Sequence, residues 1–136
     1  MNKLFISACL ILSLCGCKKS QSGSGDARKL IGKWKWVSSC GGIAGICYYA
    51  KDTPDSLIQT IEFTKDNQYL VYLNNRLTEK YSYESFPSES PYNHFPQYIV
   101  ISNLQQEIGF RFADKNTLEL LGGCCDMFDS EYKRVK

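Results

Sequence analysis

The chain has 136 residues, with 16 Lys and Arg against 14 Asp and Glu, for a formal net charge of +2. That balance excludes the basic stripe of a nucleic-acid binder and the acidic tail of a polycation binder. The length suits one domain around a single hydrophobic core.

The first element is Lys3 leading the apolar run Leu4–Ser13 into Leu14-Cys15-Gly16-Cys17. The run is too short to span a bilayer as a helix, and a small residue precedes Cys17. It reads as a secretory signal ending in a lipobox, the cleavage and acylation site of bacterial lipoproteins. The expected organisation is a signal peptide over 1–16, a lipidated N-terminus and flexible tether over 17–29, and a folded domain over 30–136. Removing residues 1–16 takes Lys3 with it, leaving 15 basic side chains (16 less Lys3) and 14 acidic ones. Cys17 attaches the chain to a membrane through its lipid, each buried methylene contributing about 0.8 kcal/mol. Lys18 rather than aspartate after Cys17 resembles lipoproteins sorted onward to the outer membrane. No acidic cluster of the surface-export kind follows, so the expected position is the outer membrane, facing the periplasm. Lys18 to about Ala27 is Ser/Gly/Gln-rich without apolar periodicity, as a spacer should be.

Cys9 and Cys15 leave with the signal, so Cys40, Cys47, Cys124 and Cys125 remain. An oxidising compartment favours disulfides among them, with three pairings open. Zinc is disfavoured because the two-to-four-residue ligand gaps are missing, and no metal or cofactor is expected.

From Leu30 onward aromatic and β-branched residues dominate and no stretch keeps a 3.6-residue period. Strands are predicted at Gly32–Ser39, Leu57–Thr64, Tyr69–Leu73, Leu77–Ser85, Gln97–Asn103, Glu107–Ala113, Thr117–Leu121 and Phe128–Val135. Lys65-Asp66-Asn67, Leu73-Asn74-Asn75-Arg76 and Asp114-Lys115-Asn116 are short polar turns, with Asn103-Leu104-Gln105-Gln106 a weaker one. Two joins are long: Cys40–Ser56, and Phe86–Pro96 with its prolines. Short links make antiparallel neighbours, so most of the chain is a meander.

Alternation places Trp36, Ile61, Phe63, Tyr69, Val71, Tyr81, Tyr83, Val100, Phe110, Phe112 and Leu118 on the buried face. A meander with one apolar face hides that face and both edges by closing on itself. The predicted fold is therefore all-β, an eight-stranded antiparallel up-and-down β-barrel, whose interior is either filled or holds one small ligand. A two-sheet sandwich needs Greek-key crossings that the short turns disfavour.

Gly32-Lys33-Trp34 opening the first strand, with Tyr132-Lys133-Arg134 in the last, resembles the lipocalins, specifically lipocalin-like lipoproteins of the Bacteroidetes group. Ile61–Asn67 is similar to that family's second-to-third strand hairpin, and Cys124-Cys125-Asp126 to the ending of many such lipoproteins. The chain lacks the helix after the eighth strand and the central-loop motif of larger lipocalins. The resemblance implies a barrel-base motif of Gly32, Trp34 and Arg134, with the arginine packed over the indole ring. Guanidinium over indole is worth about 0.5–2 kcal/mol.

If Trp34 faces Arg134 on antiparallel end strands, paired numbers sum to about 168, and residues 40 and 43 face about 128 and 125. On that register Cys40 and Cys47 bracket the point nearest Cys124 and Cys125. Two bridges, Cys40–Cys125 and Cys47–Cys124, are expected to hold the first long loop as a lid, with the opposite matching open.

No nucleophile motif occurs, and the single histidine, His94, lies in the Pro91–Pro96 loop with no partner that the sequence places beside it. Glu62, Glu84, Glu107 and Glu119 fall between apolar strand neighbours and read as outward groups. Gly41-Gly42 and Gly122-Gly123 lack a phosphate-binding context and read as turns. The expectation is thus a binding protein rather than an enzyme. It would hold a small hydrophobic ligand against Trp36, Phe63, Tyr69, Val71, Tyr81, Tyr83, Phe110 and Phe112. The alternative is a cavity-free structural or protein-interaction barrel of the cell envelope.

Overall fold

The structure, a computed structural model, describes residues 26–87, 97–102, 104, 106–123 and 126–136, without the Gln106 side chain. The signal segment, Cys17, most of the expected tether, His94 and its proline loop, the Asn103 and Gln105 turn positions, Cys124 and Cys125 lie outside the described residues.

Among the described residues a short helix, α1 (Ala27–Leu30), precedes nine strands. These are β1 (Gly32–Gly41), β2 (Ile46–Tyr49), β3 (Gln59–Phe63), β4 (Gln68–Leu73), β5 (Arg76–Pro87), β6 (Gln97–Ile101), β7 (Gln106–Asp114), β8 (Thr117–Leu121) and β9 (Phe128–Arg134). All pairings are antiparallel, β3 to β9 follow one another as a meander, and β1 pairs with both β3 and β9. The result is the predicted closed eight-stranded barrel, with β2 as an added strand.

The turn chemistry explains the meander. Asn74 and Asn75 both hold positive φ (50° and 59°) between the paired residues Leu73 and Arg76, the two-residue hairpin geometry that asparagine tolerates well. Asn67 takes φ 57° at the end of the β3–β4 turn. In the β7–β8 turn the Asp114 carboxylate accepts hydrogen bonds from the Asn116 backbone N–H and the Thr117 hydroxyl.

Closure follows the expected register at the base: Trp34 faces Arg134 and Trp36 faces Tyr132. A bulge then intervenes between Trp36 and Ser38, so Cys40 pairs with Asp129 rather than residue 128. One inserted residue moves everything beyond it to the other face of the strand. Ser39 therefore turns inward against Ser130, their hydroxyls 2.7 Å apart. Gly41 is required at the end of this stretch, because a Cβ there would lie 2.2 Å from the Met127 carbonyl oxygen.

β2 folds back on the upper half of β1, pairing Ser38 with Tyr49 and Cys40 with Cys47. It occupies the edge of β1 that β3 leaves free, since β3 pairs only Gly32–Lys35. The expected cross-barrel bridges of Cys40 and Cys47 are corrected here: these two cysteines form a disulfide with each other. They face one another across the hairpin, whereas β9 presents Asp129 to Cys40.

The lower barrel is filled. Trp34, Phe63, Phe110, Leu30, Ile61, Ile99, Ile101 and Leu118 are fully buried. Phe63 packs against Tyr69 and Tyr83 with ring centroids 5.2 and 5.0 Å apart. Burial of a large apolar side chain contributes about 1.5–3 kcal/mol, so this cluster dominates the stability of the domain. Val100 was expected inside, but Ile99 and Ile101 are the buried apolar residues of β6 and Val100 is only half-buried. The expected tether also ends earlier, since Ala27–Leu30 form a turn of helix whose Leu30 closes the base.

Candidate functional site

The base is a plug held by side chain to backbone hydrogen bonds. Trp34 donates its indole N–H to the Leu30 carbonyl at 2.7 Å. Arg134 covers the indole ring, 3.9 Å from its centroid, and donates to the carbonyls of Ile31 and Lys29. Gly32 holds φ 132°, and a Cβ there would come within 2.8 Å of Arg134 Nη1, so a glycine is needed for the arginine to reach its acceptors. The three base residues singled out from the sequence, Gly32, Trp34 and Arg134, thus come together.

The opposite end is open. A cup of about 430 Å³ lies there, walled by β1, β2, β3, β9 and the segment between β2 and β3. Its apolar surface comes from Trp36, Tyr48, Leu57 and Phe128, with the Tyr48 and Phe128 rings 5.8 Å apart. Two 3-10 turns, Ala50–Asp52 and Asp55–Leu57, carry the chain over the rim and bring Thr53 and Leu57 to the cup.

A polar row runs along one wall. The Trp36 indole N–H donates to Ser39 Oγ at 2.8 Å, Ser39 meets Ser130, and the Tyr132 hydroxyl donates to Gln59 Oε1 at 3.3 Å. Burial pushes the Tyr132 hydroxyl up to about 12, so it stays protonated and a donor at physiological pH. Among the described residues, no charged side chain lines the cup. The surface suits a mostly apolar molecule with one or two neutral polar groups.

Of the eight residues expected to contact a ligand, Trp36 lines this cup. Phe63, Tyr69, Val71, Tyr83 and Phe110 belong instead to the buried core, with Tyr81 and Phe112 packed against it. Those side chains fill the lower barrel and contact one another. Sequence reasoning missed the other lining residues: Ser39, Ser130, Tyr132 and Gln59 of the polar row, Tyr48, Leu57 and Phe128 of the apolar surface, and Thr53. The available signal was Ile46-Cys47-Tyr48-Tyr49, a β-branched and aromatic run inside the first long loop.

Fold and site together define a closed eight-stranded antiparallel barrel with a plugged base and an open cup. The chain matches no family model, and no curated protein or solved structure matches it.

Proposed function

We propose that this is a lipocalin-like, lipid-anchored binding protein of the cell envelope that takes a small, largely hydrophobic molecule into the mouth of its barrel. The observation that carries the reading is the cup: a concave apolar surface of ligand-pocket size, with an uncharged polar row along one wall. The Gly32, Trp34 and Arg134 base supports the likeness to lipocalins. The Leu14-Cys15-Gly16-Cys17 lipobox supports acylation of Cys17, and Lys18 supports an outer-membrane position facing the periplasm. No residue is assigned a catalytic role.

Native mass spectrometry of protein made in its own host tests this directly. A co-purifying small molecule is expected with the native chain and lost with Leu57→Gln, which places an amide at the lip of the cup on a side chain already 58% exposed. Repeated recovery of the bare chain would remove the proposal.

One observation favours an interaction domain instead. Ile43, at the tip of the β1–β2 hairpin, is 91% exposed, and Ile46, Tyr48 and Leu57 beside the mouth are also exposed. On this second reading the same rim meets a protein surface, and the cup closes only in that complex.

A further inference from the structure

Gln59 opens β3 and shares the inward face of that strand with Ile61 and Phe63, both fully buried. Among the described residues it is the one side-chain amide on the cup lining. Trp36, Ser39, Ser130 and Tyr132 supply the N–H and hydroxyl groups of the wall beside it.

The protons along that wall run in one direction. Trp36 Nε1 donates to Ser39 Oγ at 2.8 Å, and the Ser39 and Ser130 hydroxyls share a bond of 2.7 Å. Burial raises the Tyr132 hydroxyl, and a hydrogen bond from Ser130 lowers it by less. With the Ser130 proton directed to Tyr132, the bond between the two serines takes its proton from Ser39. The Tyr132 hydroxyl then donates to Gln59 Oε1 at 3.3 Å. Thr53 spends its proton on the Tyr49 carbonyl at 2.9 Å, and Tyr48, 55% exposed, has solvent for its hydroxyl.

The row therefore ends on the Gln59 amide. A buried phenol needs an acceptor, which fixes Oε1 toward Tyr132 and turns Nε2 away from it. Gln59 Nε2 has no hydrogen-bond partner among the described residues. Accepting at Oε1 also polarises the amide and strengthens its N–H groups as donors. The oxygens of the row keep only second lone pairs, each on an atom already bonded.

Taking the cup as the binding site proposed above, we infer that it selects a neutral carbonyl compound, a ketone or ester with an apolar body, and that Gln59 Nε2 selects it. The carbonyl oxygen accepts from Nε2 while the apolar body lies against Trp36, Leu57 and Phe128. A hydrocarbon of the same shape strips water from the amide and leaves its N–H groups unpaired. A carboxylate meets no cation among the described lining residues.

The test is equilibrium dialysis of the full chain carrying Cys17→Ser, with 2-acetylnaphthalene and 2-ethylnaphthalene as probes. The readout is the ratio of the two affinities, which cancels their difference in hydrophobicity. Gln59→Glu at pH 8 keeps an oxygen for Tyr132 but has no N–H, and should lower the ketone-to-hydrocarbon ratio about fivefold or more. Tyr132→Phe keeps Nε2 and should hold the ratio near the native value, whereas Gln59→Met/Tyr132→Phe should lower it. Leu57→Gln should weaken both probes alike. An unchanged ratio in both Gln59 variants, or a fall in Tyr132→Phe as large as in Gln59→Glu, would overturn the inference and leave the cup standing as a binding site. Failure of the native chain to bind either probe would overturn the cup reading itself, and this inference with it.

Discussion

The Arg134 guanidinium lies 3.9 Å from the centroid of the Trp34 ring and donates from Nη1 to the Ile31 carbonyl (3.0 Å) and from Nη2 to the Lys29 carbonyl (2.6 Å). One side chain thereby joins the last strand, the first strand and the N-terminal turn. Arg134→Ala should lower unfolding free energy by about 2–3 kcal/mol, combining lost cation–π attraction with two acceptors left unpaired. Arg134→Lys should recover less than half, because an ammonium cannot stack on the ring and serve both carbonyls in the same way. Denaturant titration measures both. Equal stability of the alanine variant and the native chain would show that the plug does not need its cap.

The Cys40–Cys47 bridge, with a sequence separation of 7, ties a hairpin in which β2, among the described residues, pairs with β1 alone. Closing so short a loop is worth about 2 kcal/mol in the chain-entropy model. That stabilisation should be local. Cys40→Ser/Cys47→Ser is expected to speed amide exchange in β2 and leave β4 to β8 unchanged. Exchange mapped by mass spectrometry decides it, and uniform loss of protection around the barrel would contradict the prediction.

Tyr132 is buried beside Gln59, and burial pushes its hydroxyl up to about 12; burial also raises Tyr69 and Tyr83. Below pH about 10 these phenols are neutral in both states and their contribution is complete. Above that, the unfolded chain releases protons that the folded barrel retains, so stability falls as pH rises toward 12. Tyr132→Phe should remove about 1–1.5 kcal/mol of that loss between pH 8 and pH 11. Urea midpoints at pH 8 and pH 11 give the comparison; an unchanged alkaline slope would contradict the assignment.

Asp114 behaves in the opposite sense. The Asn116 backbone N–H, then the Thr117 hydroxyl, hold its carboxyl below the ordinary value. Its contribution is therefore complete above about pH 4 and lost as pH falls through the lowered value. Asp114→Asn should flatten the acid limb of the stability profile below pH 4 without altering the alkaline limb. Thermal midpoints between pH 2 and pH 6 test this.

Every barrel strand marked by alternation occurs, with ends displaced by a few residues. Ile61 and Phe63, or Tyr69 and Val71, are separated by half-buried residues, so each short segment carries its own inside and outside. Where that contrast is missing, the reading failed. Tyr98-Ile99-Val100-Ile101 is continuously apolar, and nothing local says that Ile99 and Ile101 rather than Val100 face inward. β2 was missed because four residues among glycines form too brief a pattern to stand out.

The bulge after Trp36 is the deeper case. Trp36-Val37-Ser38 reads like any other stretch of strand, yet the extra residue turns Ser39 toward Ser130 and sets the polar wall of the cup. It also spoils extrapolation of the register from the base to the rim, where the cysteine partners lie.

The order of the strands and their antiparallel links were legible because neighbouring residues and short turns encode them, whereas the meeting of Trp34 with Arg134 was an implication of the family resemblance. The placement of the cup, the partner of Cys40 and the face on which each rim residue lies were settled only when β1, β2 and β9 met. Those features depend on a one-residue offset between segments about ninety positions apart, and close packing resolves that offset where local pattern cannot.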